Sequence, residues 1–276
     1  MQGSIAQALA ITCVGNAVLR GRDPERFWPE ADVFQFTKLC EFRDVGDNGD
    51  ILVAADPLAW FELLRGRCRG LRLHHAPRPR GPGQSIPISE RQSVGFVGGG
   101  PAWLIEAVGE TRATLWQGHD RIGDRADAAQ KIWLTAYLRA GEIDPLDATR
   151  VLLPLIASEL SEALREAEAL AVRLKPHMGL EWDAVFREAR AALTAENPAP
   201  PYYALDGFVD LDLEQRRLWL CCVKSWVFGG MGSWNDFSPP QAEAAAYERV
   251  SERLFQALCD AISALANSTY AGASLK

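Results

Sequence analysis

The chain has 276 residues, of which 48% are hydrophobic, which suffices for one large domain or two ordinary ones and excludes intrinsic disorder. A net charge of −7 excludes a general nucleic-acid binder, which needs a basic stripe to neutralise phosphates, and favours basic partners. The 24 arginines against 5 lysines, with abundant alanine, match GC-rich codon usage and suggest a bacterial source.

From Met1 to Ile5 no positive charge precedes the first apolar stretch, and Gln7 and Asn16 interrupt it. Neither a signal peptide nor a membrane span is expected, and a cytoplasmic location follows. Next, Val33 to Phe42 alternates apolar and polar residues with aromatic enrichment, as a half-buried strand does. The turn Gly46-Asp47-Asn48-Gly49-Asp50 joins it to an apolar run, Ile51 to Ala55, as a hairpin. Asp56-Pro57 then caps a short helix through Trp60, Phe61 and Leu64.

Ser93 to Val97 and Ala102 to Val108 flank Gly98-Gly99-Gly100-Pro101, and Thr114-Leu115-Trp116 follows the next turn; together they predict a three-strand meander. Lys131 to Leu138 reads as one more strand, leaving little helix before residue 146. After Asp144-Pro145 the period lengthens. Leu152, Ile156, Leu160, Leu164, Ala167, Ala171 and Leu174 share one helical face, and Trp182, Val185, Phe186, Ala189 and Leu193 another. A third helix, from about Leu218 to Val227, is apolar nearly all round and so belongs at the centre. Ser238 and Gln241 stand at capping-box spacing with Pro239 between them, before a last amphipathic helix from Ala246 to Leu265.

These patterns predict an α+β fold: a β-rich N-terminal half of antiparallel hairpins and meander over 1–146, then an all-helical half over 147–276. The second half holds 12 basic and 18 acidic side chains, so nearly all the net negative charge is there. The six cysteines contain no Cys-x-x-Cys pair and read as small buried hydrophobes.

Three features are candidates for chemistry. The segment Val227 to Asp236 packs glycines, a tryptophan and polar side chains into a helix-to-helix loop. Gly229 is placed to cap the preceding helix, Trp234 to plug the helix pair, and Asn235 and Asp236 to satisfy backbone groups. The functional reading makes Gly230, Gly232, Ser233, Trp234, Asn235 and Asp236 a polar cup for a ligand or partner group. The second feature is a basic run without an acid between Glu62 and Glu90, in which Arg67, Arg69, Arg72 and His74 form a candidate anion site; the alternative is a solvated loop at Ala76 to Gly83. The third is Gly118-His119-Asp120 with Asp124 and Asp127, read as a polar turn rather than metal ligands. Asp206, Asp210, Asp212 and Glu214 read as helix caps, since their spacing misses the calcium-loop pattern. Neither a cofactor motif nor a metal site is implied, and no catalytic motif is present.

Phe228 to Asp236 resembles the Gly-Gly-Met-Gly-Ser-aromatic-Asn-Asp motif of small helical bacterial proteins of unknown function, and Arg217 to Trp226 and Tyr247 to Asn267 fit the flanking helices those proteins have. The resemblance implies a helical domain and a bacterial source. It implies no activity and carries over no catalytic residue.

The leading expectation is a binding or regulatory protein whose acidic helical half engages a basic protein partner, as a toxin-neutralising immunity factor does. The alternatives are an enzyme acting on a phosphate- or carboxylate-bearing small molecule, with His74 or His119 as acid/base group, and a structural subunit of a larger assembly.

Overall fold

The computed structural model describes residues 1–46, 49–78, 88–145 and 152–270. The predicted domain boundary at 146, the turn residues Asp47 and Asn48, and most of the Ala76 to Gly83 loop lie outside the described residues.

The chain begins with a helix, α1 (Gly3–Leu19), buried continuously from Ile5 to Val18. This corrects the expectation of little helix in the N-terminal half. A helix apolar on every side shows no period, which is why the pattern hid it; its place is the interior. Gly15 is where α1 comes closest to its neighbours, since a Cβ there would overlap Leu71 and crowd Phe61.

After the short turn α2 (Phe27–Glu30), β1 (Thr37–Gly46) and β2 (Gly49–Ala54) form the expected hairpin, with Gly46 opposite Gly49. The stretch Asp32–Phe34 is a 3-10 turn, so the first strand starts later than its alternation suggests. Helix α3 (Pro57–Leu64) is capped as predicted: Asp56 accepts from Ala59 N–H at 2.8 Å with Pro57 in the first turn.

Then β3 (Gly70–Ala76), the single-turn α4 (Glu90–Ser93), β4 (Ala102–Val108), β5 (Ala113–Ile122) and β6 (Trp133–Ile143) complete a six-stranded sheet in the order β2-β1-β6-β5-β4-β3. The meander is corrected in two respects. Ser93 to Val97 is no strand: Ser89 and Gln92 close a capping box that starts α4, and β4 pairs with β3 instead. The sheet is mixed, because β1 runs parallel to β6 while every other neighbouring pair is antiparallel. Gly118, His119 and Asp120 lie within β5, not in a turn.

Helices α5 (Leu153–Leu174), α6 (Trp182–Ala192), α7 (Leu213–Ser225) and α8 (Ala244–Ser268) follow. Asp212 caps α7 in a capping box with Gln215. The box expected at Ser238 does not form. Pro240 holds Pro239 out of the helical region, and α8 starts only after a 3-10 turn at Gln241–Glu243. α5 packs on α6 and α8, and α8 also packs on β3 and α1. The fold is α+β, and none of the helices among the described residues is long and apolar enough to cross a membrane.

Among the described residues β3 has no strand on its outer side, and side chains take that place. Asn16 of α1 accepts from Leu71 N–H at 2.7 Å and donates to Leu71 C=O at 2.9 Å. Asn267 of α8 repeats the pair on Leu73, at 2.7 and 3.0 Å. Residues two apart in a strand turn their backbone groups to the same edge, so the two amides continue the ladder. Thr269 Oγ1 accepts from Asn16 at 3.0 Å, tying the ends of both helices together.

Asn16→Ala leaves the Leu71 N–H and C=O buried without partners. At about 1–3 kcal/mol per group, unfolding free energy is expected to fall by about 2–6 kcal/mol in urea titration with unchanged slope.

Candidate functional site

A cavity of about 360 Å³ lies where the first turn of α1 meets the ends of β1, β5 and β6, under the loop from Val94 to Gly99. Successive strand residues point to opposite faces, and the register puts Asp120 beside Thr135 on the α1 side. Thr135 Oγ1 donates to Asp120 at 2.7 Å. Burial pushes the Asp120 carboxyl above its ordinary range, while hydrogen bonds from Thr135 and Ser4 and the charges of His119 and Arg78 pull it back. His119 borders the same cavity; its imidazole pKa is lowered by burial and by Arg78.

Behind this pair the sheet is sealed. Burial drives the Cys40 thiol and the Tyr137 phenol well above their ordinary values, and Tyr137 stacks on Phe42 with ring centres 5.0 Å apart. Cys13, Cys221, Cys222 and Cys259 are likewise buried, Cys68 is half-buried, and all six thiols are free. At the α1 wall, Gln7 donates through Nε2 to Val33 C=O at 2.9 Å and Thr37 Oγ1 at 2.7 Å. Gln7 Oε1 and the indole N–H of Trp103, both from residues lining the cavity, are buried without a hydrogen-bond partner among the described residues. Phe36, Phe96, Trp133 and Tyr203 add aromatic walls.

The roof of this cavity is held by the Gly-rich segment. Arg91 of α4 is 1% exposed; its Nη1 donates to Asn235 Oδ1 at 2.7 Å, and Asn235 Nδ2 donates back to Arg91 C=O at 2.7 Å. Glu248 and Glu252 of α8 take the remaining guanidinium nitrogens. Beyond α4, Gly95 passes so close to Gly229 C=O that a Cβ would overlap it. Trp234 is fully buried, donating to Ser251 Oγ at 2.6 Å, stacked on Tyr247 and edge-on to Phe186. The two ends of the segment thus behave differently. Trp234 and Asn235 face inward, Asp236 is exposed, and Gly230, with Ser233, lines a second cleft. Gly229 is not the helix cap: α7 ends at Ser225, Trp226 leaves the helical region, and the left-handed glycine is Gly232.

The basic run is divided. Arg67 and Arg69 are exposed in the turn before β3. Arg72 and His74 lie on the sheet face away from α1, where they meet the buried Glu106 at 3.7 and 2.7 Å, and Arg72 lies over the Tyr270 ring. His75, on the opposite face, bonds Asp260 of α8 at 2.9 Å. Asp124 and Asp127 form turns with their own backbone.

Asp120, Thr135 and Gln7 were not singled out together by sequence reasoning. The local signals were Gln7, a polar residue in an apolar run, and the Gly118-His119-Asp120 stretch, expected as a turn; Asp120 and Thr135 meet only through strand register.

The fold and site define an α+β protein built on a buried helix, with a polar and aromatic cavity at that helix's start. No protein-family model, no curated protein and no solved structure matches the chain.

Because the folded state holds the Asp120 proton more tightly than the unfolded chain, stability is lost as pH rises from the ordinary 3.8 through the raised value. Asp120→Asn carries no charge and still accepts from Thr135. It is expected to raise the melting temperature above wild type at about pH 7 and to give no gain at about pH 3, where both states are protonated.

Proposed function

We propose that the protein is a binding module whose cavity holds a small molecule that presents N–H groups to Asp120 and Gln7 and rests an apolar body on the aromatic walls. The observation that carries this is the pairing of two acceptors in one concave site: the half-buried Asp120 carboxyl and the unpartnered Gln7 Oε1. A few convergent polar groups in a mainly apolar pocket are the usual form of a ligand site, and aromatic faces beside a carboxylate suit an amine or amidine. This keeps the binding role expected from the sequence and replaces a phosphate- or carboxylate-bearing substrate at Arg67, Arg69, Arg72 and His74, whose last two members hold Glu106. A bacterial source is supported by the arginine bias and by the resemblance of Phe228 to Asp236 to the helical bacterial family.

A second reading, docking of a protein partner, is favoured by Phe96, Val97 and Met231, apolar side chains exposed on the two loops that meet at Gly95 and Gly229. The acidic residues of α5 favour it less as a basic-toxin surface, because Glu162, Glu166 and Glu168 already pair with Arg165, Arg253 and Arg190. If a Phe96→Asp, Met231→Asp double variant still co-purifies with the same cellular protein as wild type, this reading fails.

For the small-molecule reading, benzylamine, benzamidine, benzamide and toluene are titrated calorimetrically. The two cations are expected to bind most tightly, and Asp120→Asn to weaken them about tenfold or more, the loss of one charge-assisted hydrogen bond. Toluene binding as tightly as benzylamine, or an unchanged affinity in Asp120→Asn, overturns the reading.

A further inference from the structure

A second cleft, of about 410 Å³, adjoins the first where Gln2 and Gly95 line both. Its other walls come from Met1, from Trp182 and Val185 of α6, from Lys224 of α7, from the segment Trp226 to Gly230, and from Ser233. What these walls offer is donors. The backbone N–H groups of Gly229 and Gly230 have no hydrogen-bond partner among the described residues. Trp226 is 9% exposed, and its indole N–H is buried without a partner among the described residues. Lys224 Nζ stands 4.0 Å from Glu188, its only ion pair among the described residues and a long one, and the lining contains no acidic side chain.

The two glycines carry a further clue. Neither Gly229 nor Gly230 has a left-handed φ, so the backbone does not demand glycine at either position. Packing does not demand it either: a Cβ on Gly230 would meet nothing within 4 Å, and one on Gly229 only Ser233 Cβ at 3.8 Å. What a side chain would obstruct is access to their N–H groups. Successive bare amides beside a lysine make a concavity suited to an oxyanion, and the buried Trp226 indole N–H is stabilised by gaining an acceptor.

From this arrangement we infer that the cleft binds the carboxylate of a small organic acid, held by Lys224, the Gly229 and Gly230 amides and the Trp226 indole, with Trp182 and Val185 against its apolar body. The site is separate from the Asp120 cavity and does not depend on that reading. Part of the Gly-rich segment thereby gains a role beyond its packing.

The test uses the full chain and two probes of nearly equal shape, benzoate and neutral benzamide, at constant ionic strength. Binding is read from the indole N–H resonance of Trp226, assigned by its loss in Trp226→Phe. Benzoate is expected to shift it saturably and benzamide not at all. Lys224→Met, a surface change that should leave folding intact, is expected to weaken benzoate about tenfold or more. Trp226→Phe, followed through calorimetry and checked for an intact melting transition, should weaken it severalfold, and Asp120→Asn should leave it unchanged. Lys131→Met serves as a control for net charge. Equal binding of benzamide and benzoate, equal weakening by Lys131→Met and Lys224→Met, or wild-type affinity in Lys224→Met overturns the inference.

Discussion

Two asparagine side chains standing in for a missing strand hold this molecule together. The outward N–H and C=O groups of Leu71 and Leu73 sit against packed helices, where a backbone polar group without a partner costs about as much as a lost hydrogen bond. Asn16 and Asn267 each present one acceptor and one donor at the spacing the strand requires. This explains a polar residue in the last turn of a helix that is buried and mainly apolar. It also fixes the rotation of α1 and α8, since turning either helix by one residue would remove both bonds at once. Helices from the two ends of the chain are thereby set against the same strand, and the first turn of α1, with Gln2 and Gln7, is aimed at the cavity.

The Gly-rich segment works through a second buried contact. Arg91 has acceptors on all sides, from Asn235, Glu248 and Glu252, so α4 is clamped to α8 and the loop after it is carried across the cavity. Because Gly95 rests directly on Gly229, the wall of one cleft is also the wall of the other. A substitution at Asn235 would therefore act on the Asp120 cavity without touching it. Trp234 is the fixed pivot of this joint, with its ring among Trp182, Phe186 and Tyr247.

What was legible in the sequence follows from range. The Asp56-Pro57 cap, the hairpin at Gly46 to Gly49, and the apolar faces of α5 and α6 are set by residues within a few positions of each other, and they were read correctly. Helix α1 was missed because burial on all sides erases periodicity. Ser93 to Val97 was misread because its alternation lies in a loop that Arg91 holds from far along the chain. The parallel pairing of β1 with β6 brings together segments nearly a hundred residues apart, and no local pattern encodes it. The same limit hid the cavity: Asp120 and Thr135 come from different strands, and Gln7 from a helix more than a hundred residues earlier in the chain. In the Gly-rich segment the plug role of Trp234 was legible from its bulk, whereas the separation of Asn235 from Gly230 depends on which way each faces.

The capped side of the sheet has a consequence for how copies of this chain can associate. With β3 occupied by amides, the only strand among the described residues with an outer edge left unpaired is β2, where Ile51 and Leu52 are exposed. Pairing through such an edge is the usual route to strand-mediated aggregation, and growth into a filament needs two edges on each molecule. The described residues offer one. Two copies joined along β2 would form a closed ribbon with no edge left to recruit a third, so edge-to-edge growth stops at the dimer.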